Sequence, residues 1–170
     1  MATEPVLRLR PAALADRFLI RRWVSDNGMR GKHVNAASAE AEFTLAMSSA
    51  AALPRIIMRD DAAIGYAHAV ETGQWSAEPV EGVPAGAWEV TYIMEDPPRD
   101  AGVGGAVLAM LTAEVFTTTL AVACSAKISI TDEIAARAYE NSGFRWLRVL
   151  QDPLSGPCWL MLKERPQQTH

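Results

Sequence analysis

Apolar and polar positions change rhythm several times along the chain, and each change predicts an element. Val6 to Arg10 alternates apolar and basic residues as a short strand does. Pro11 suits the opening of a helix, Ala12 to Val24, whose apolar positions recur at three and four. Ser25 to Ala37, with Gly28 and Gly31, reads as a loop. A second helix from Ser38 to about Ala51 rests on alanine-rich periodicity, since the capping box lacks its acid: Ala41 holds the third position and Glu42 comes one late. Pro54 to Met58 and Ala62 to Val70 read as a hairpin turned by Arg59, Asp60 and Asp61. Trp88 to Glu95 is a strand of aromatic and β-branched residues stopped by Pro97 and Pro98. Between them, Thr72 to Gly86 is a long loop rich in Gly, Pro and acids, of the kind that often carries function. A helix from Val103 to about Thr118, a strand Ala121 to Ile130 and a short helix Asp132 to Asn141, ended by Gly143, follow. Phe144 to Leu150 and Cys158 to Lys163 close the chain as two strands.

That order implies one α/β domain over residues 1–165, with a mixed central sheet of about seven strands flanked by about four helices and a fraying tail at 166–170. At 170 residues such a domain buries roughly 70% of its unfolded surface. The composition is ordinary for a globular protein, with 49% hydrophobic and 21% charged residues. A net charge of -4 argues against a nucleic-acid partner, which would need a basic face. The charge is unevenly spread: no Lys or Arg falls between Arg59 and Arg99, whereas eight acids do, and the segment before it is Arg-rich. Two solvated faces would explain this, and so would a pocket rim that attracts a cationic substrate. Cys124 and Cys158 have no histidine at ligand spacing, so neither a metal site nor a disulfide framework is expected. With no apolar run of membrane-spanning length and no signal-peptide order, a cytoplasmic protein without a membrane partner is expected. Oligomeric state is open, a homodimer included.

Arg99-Asp100-Ala101-Gly102-Val103-Gly104-Gly105 lies between a predicted strand and a predicted helix, where amide N–H groups and the helix dipole favour an anion. A nucleotide-hydrolysing P-loop would need Lys and Ser or Thr after the glycines, and a dinucleotide fingerprint would need Gly or Ala where Val107 stands. The spacing instead resembles R-x-x-G-x-G, the pyrophosphate-binding motif of the GNAT superfamily of N-acetyltransferases. Asp132-x-x-Ala135-x-x-x-Tyr139-x-x-x-Gly143-Phe144 resembles that superfamily's N-x-x-A-x-x-x-Y-x-x-x-G-F block at the customary distance. Ile64-Gly65-Tyr66-Ala67, and Gly156-Pro157 before a final aromatic strand, resemble the aminoglycoside 6'-N-acetyltransferase branch.

The resemblance implies a GNAT fold, acetyl-CoA as cosubstrate and a small-molecule primary amine as acceptor. It further implies that Arg99 through Gly105 cradle the pyrophosphate and that the main chain of Tyr92, Ile93 and Met94 pairs with the pantetheine arm as an added strand would. Tyr139 corresponds to the family tyrosine whose hydroxyl meets the departing thiolate. Asp132 stands where the family has Asn, which puts a carboxylate near a polyanionic cosubstrate and its contact there in doubt.

The chemistry also needs a base. A Lys-like ammonium titrates near 10.4, so deprotonation at pH 7 costs roughly 4 to 5 kcal/mol. Glu89 and His68 are the candidates, and each could equally be a structural strand residue. Trp23, Trp75, Glu78, Glu81 and Trp88 are candidates to line the acceptor site, although most aromatics are core. A protein N-terminal or lysine acetyltransferase, and a CoA-binding module that has lost its base, are the alternatives.

Overall fold

The computed structural model describes residues 3–27, 36–75, 79–95, 102–152 and 156–167. Strand β1 (Leu7–Pro11) leads through a single 3-10 turn (Leu14–Asp16) into α1 (Arg17–Asn27) and α2 (Ala36–Met47). The hairpin β2 (Ala52–Arg59) and β3 (Ala62–Glu71) follows, turned at Asp60, whose φ of 52° is the left-handed conformation that Asp tolerates. A one-turn helix α3 (Thr72–Trp75) precedes β4 (Trp88–Met94), and α4 (Gly102–Thr118) joins it to β5 (Ala123–Ser129). Helix α5 (Glu133–Asn141) and the hairpin β6 (Arg145–Asp152) and β7 (Gly156–Glu164) complete the chain.

Among the described residues, seven strands form one mixed sheet in the order β1-β2-β3-β4-β5-β7-β6, with five α-helices. Every neighbouring pair is antiparallel except β4 and β5, which are parallel and therefore need the crossover that α4 provides. Two departures from the sequence expectation have local causes. Pro11 ends β1 rather than starting a helix. The Asp16 carboxylate then accepts from the Ala13 amide (2.7 Å) and from the Arg10 guanidinium (2.8 and 2.9 Å), which winds a 3-10 turn before α1 begins. Thr72–Trp75, expected as loop, coils once and is fastened to the residue preceding β4 by the Thr72 N–H and Oγ, which both donate to the Ala87 carbonyl.

The two sheet faces are covered differently. On one, Val107, Leu108, Leu111 and Val115 of α4 and Ala136 and Tyr139 of α5 pack onto Trp88, Val90 and Met94 of β4 and Cys124, Ala126 and Ile128 of β5. On the other, Ile20, Trp23 and Val24 of α1 and Phe43 of α2 cover Ile56, Met58 and Tyr66. Farther along the same face, Val83 and Ala87 of the 79–87 segment pack with Ala123, Leu147 and Leu162. The far end of α4 is held by Arg165, whose guanidinium donates to the carbonyls of Phe116, Thr119 and Ala121 (2.6 to 2.8 Å) and whose planar group lies over the Phe116 ring.

Candidate active site

The two edges of β4 differ. Toward β3 it is sealed over seven paired residues, from Gly65↔Met94 to Glu71↔Trp88. Toward β5 it pairs only at Trp88↔Cys124 and Glu89↔Ser125, after which the strands part. The antiparallel bonding fixes which main-chain groups face which edge. Glu95 donates its N–H to Ile64 and Ala87 accepts from Thr72, so odd-numbered residues from 87 to 95 turn toward β3. Val90, Tyr92 and Met94 accordingly turn their main chain toward the gap. Ile93, expected among the pantetheine-pairing residues, is opposite Tyr66 and spends its main chain on β3. That expectation is corrected by strand parity.

At the end of the gap lies the first turn of α4, which contains Gly102, Val103, Gly104 and Gly105. First-turn amides have no carbonyl four residues back within their own helix, so this turn points N–H groups and the positive dipole end outward. Arg99, Asp100 and Ala101 lie outside the described residues. Gly104 is buried and faces inward: a Cβ there would lie 2.5 Å from the Tyr92 hydroxyl and 3.1 Å from the Ala138 Cβ. Its lack of a side chain therefore lets α5 and Tyr92 approach α4 closely. Gly65 has a comparable reason on the sealed edge, since a Cβ there would collide with the Ile93 carbonyl oxygen. The Tyr92 phenol, pushed up to about 12 chiefly by burial and then by Asp132, stays neutral beneath the turn.

Tyr139 enters the gap from α5. Its ring is 5% exposed, edge-on to Phe144 and 6.0 Å from the Tyr92 ring. Its hydroxyl donates to the Val90 carbonyl at 3.0 Å, one residue past the last β4–β5 pair. Burial, then Tyr92, Glu89 and Asp132, hold its pKa well above the usual tyrosine value, so the proton is present to be donated. Asp132, where the resemblance left a doubt, caps α5: its carboxylate accepts from the Ala135 amide at 3.0 Å. Asp and Asn serve that position about equally well.

On the opposite face of the sheet, registration lines up His68 with Thr91, and Glu89 with both Val70 and Ser125. Side chains of directly opposed residues share a face, so His68, Thr91, Glu89, Ser125 and Lys127 form a polar strip between two apolar clusters. Glu89 and Lys127 are each about a quarter exposed, with Lys127 Nζ 3.9 Å from the carboxylate. His68 Nδ1 is 3.3 Å from the Tyr66 hydroxyl, whose pKa burial raises.

The other expected acceptor-lining residues scatter. Trp88 is buried in the α4-side core and Trp23 in the α1 cluster, so packing claims both rings. Trp23 is 1% exposed and its Nε1 finds no hydrogen-bond partner among the described residues. Trp75 is half-buried at the end of α3. Glu81 is tied away from the strip: its carboxylate is 3.8 Å from Arg148, its side chain is 89% exposed, and its carbonyl accepts from Arg148 Nε. Glu78 lies outside the described residues. Lys127 and Ser125, which sequence reasoning did not single out, are brought to the site by the β4–β5 pairing alone.

No family model matches the sequence, and a comparison with curated proteins finds no match either. Solved structures do match in shape. The aminoglycoside acetyltransferase AAC(6')-Ib in complex with coenzyme A and kanamycin superposes with a TM-score of 0.77 at 18% identity, over 94% of this chain and 95% of that one. A mutant of the spermidine N-acetyltransferase SpeG from Vibrio cholerae gives 0.72 at 13% identity over 94% of each chain. An uncharacterized protein from Bacillus halodurans gives 0.78 at 9% identity, over 94% of this chain and 84% of that one. The chain has the GNAT fold. Within that fold the parted β4–β5 seam, the glycine-bearing start of α4 and the tyrosine of α5 occupy one side of the sheet, and the polar strip the other. Among the described residues no helix is long and apolar enough to cross a membrane, and no three His, Cys, Asp or Glu gather as metal ligands.

Proposed function

We propose that the chain is an acetyl-CoA-dependent N-acetyltransferase that acetylates the primary amine of a small cationic acceptor. The observation that carries this is the parting of β4 and β5 after two paired residues, with an anion-favouring helix start at the end of the opening and a carboxylate on the sheet face behind it. The gap suits an extended arm whose amides pair with the main chain of Val90 and Tyr92. The amides of Val103, Gly104 and Gly105 suit its diphosphate.

Catalysis then divides between the two faces. The acceptor amine, entering over the polar strip, gives a proton to Glu89 directly or through water. Its lone pair attacks the thioester carbonyl, the C–N bond forms, the C–S bond breaks, the departing thiolate takes a proton from Tyr139, and the surplus proton on the new amide nitrogen returns through water to the tyrosinate. Glu89 is favoured over His68 as base by the hydrogen bond at His68 Nδ1: when neutral His68 accepts there from Tyr66, its own proton sits on Nε2, which is then a donor. Lys127, with its Nζ 3.9 Å from the Glu89 carboxylate, is a loose enough partner for an incoming ammonium to displace. The neighbours in complex with kanamycin or acting on spermidine support a small, multiply charged amine.

The test is release of coenzyme A from acetyl-CoA with a panel containing aminoglycosides, spermidine and a lysine peptide. The expected result is turnover with the small cations. Coenzyme A binding without thiol release from any amine would overturn the enzymatic reading in favour of a binding module.

A further inference from the structure

The bond between Tyr139 and Val90 is in an unexpected place for a hydroxyl whose task is to meet a departing thiolate. Its single proton already has an acceptor, and that acceptor is a main-chain carbonyl of the strand along which the cosubstrate would lie. Strand parity explains why the carbonyl needs a donor. Val90 turns toward β5, but the ladder stops at Glu89↔Ser125, so no β5 amide follows in register to serve it. The site is buried, and a buried carbonyl without a donor is destabilising. Tyr139 is therefore doing the work of a missing strand.

We propose that Tyr139 is a placeholder for the cosubstrate: its hydroxyl holds the Val90 carbonyl until an amide N–H of the pantetheine arm takes that carbonyl, and the exchange frees the hydroxyl to turn toward the sulfur. This deepens the acetyltransferase reading and rests on it. The exchange conserves hydrogen bonds, one donor replacing another at Val90, and it readies the tyrosine's proton only once the arm is in place. The hydroxyl is able to wait because burial keeps it protonated. Its ring is held throughout by edge contact with Phe144, and α5 is fixed at its end by Lys163, which donates to the Ser142 carbonyl at 2.7 Å and to Thr112 at 2.9 Å. Only the O–H needs to reorient.

A placeholder and a simple acid predict opposite affinities for Tyr139→Phe. If the hydroxyl only protonates the thiolate, its loss lowers turnover and leaves coenzyme A affinity unchanged. If it also occupies Val90, the free variant carries an orphaned carbonyl that the pantetheine amide satisfies, so calorimetry should show coenzyme A bound about five-fold or more tighter than by the wild type while turnover falls. Equal or weaker binding by the variant, with the wild type binding normally, overturns the placeholder and leaves the acetyltransferase reading standing. Failure of the wild type to bind overturns both.

A second measurement needs no variant. The sequence contains one Val-Thr step, Val90-Thr91, so ¹³C-carbonyl valine with ¹⁵N-threonine isolates the Val90 carbonyl in a spectrum. On adding coenzyme A to the wild type, the Val90 carbonyl should stay in its hydrogen-bonded range while the ζ-carbon signal of Tyr139 shifts. A Tyr139 signal unmoved by saturating coenzyme A overturns the exchange.

Discussion

Strand β4 has one edge that is finished and one that is not, and the contrast separates what keeps this protein folded from what it is for. Against β3, seven residues pair in register, and glycine at position 65 lets the strands close where any side chain would strike the Ile93 carbonyl. Against β5, pairing stops after two residues, and a side chain from a helix, not a strand, supplies the next donor. Sheet hydrogen bonds form wherever register allows, so an interrupted ladder inside a core persists only because other groups satisfy the exposed backbone. Here those groups are the Tyr139 hydroxyl at one carbonyl and, in the proposed complex, the amides of a substrate.

Changes on either edge should therefore differ in kind. The largest effect is expected at the last paired step of the seam. Glu89→Gln should lower kcat about 10²- to 10⁴-fold, the usual contribution of a general base, with an unchanged urea midpoint. Near-normal turnover would move the proton transfer to His68 or to solvent. Next comes the sealed edge. Gly65→Val should cost about 1–3 kcal/mol or more of stability, read as a lower urea midpoint, because the colliding atom is main chain and has nowhere to go. A midpoint within error of the wild type would mean that β3 and β4 are not closed as tightly as described.

Smaller again is Asp132→Ala, which removes the α5 cap that supports Tyr139 and should cost about 1 kcal/mol, seen as a lower Tm. Asp132→Asn should restore it, and a failure to do so would show that charge rather than capping matters there. The smallest effect lies far from both edges. Asp16 is held below the usual carboxylate range by its Arg10 hydrogen bonds, against desolvation and with help from the Ala13 amide. A folded pKa below the unfolded value of 3.8 means that its stabilisation is complete above that value and is lost as pH falls through the folded one. Thermal melts of wild type and Asp16→Asn should thus differ at neutral pH and converge in acid; curves that stay parallel would remove Asp16 from the acid response.

Much of this architecture was legible in the chain because it follows from local pattern. The apolar period of α1, the β-branched run of β4 and the turn residues around Asp60 each specify their element before any tertiary contact exists. What was not legible depends on partners distant in sequence. Glu81 looked like an acceptor-lining residue, yet its ion-pair partner is Arg148, 67 residues on. Trp88 looked like a substrate-facing aromatic, but only the sheet's handedness against α4 decides which side of β4 it takes. Lys127 carried no signal at all, being one basic residue in an apolar strand until pairing set it beside Glu89. The parting of β4 from β5 was implied by resemblance and not by propensity, since both strands are good strand formers to their ends.

The seam itself can be interrogated directly by titrating ¹⁵N-labelled protein with coenzyme A and following the backbone amides. Saturable shifts are expected to concentrate at Tyr92, Val103, Gly104 and Gly105, with Thr91 and Ile93, whose amides are spent on β3, moving far less. Saturable binding that instead perturbs the β1–β2 side of the sheet, or no shift at any concentration, would contradict binding at the seam.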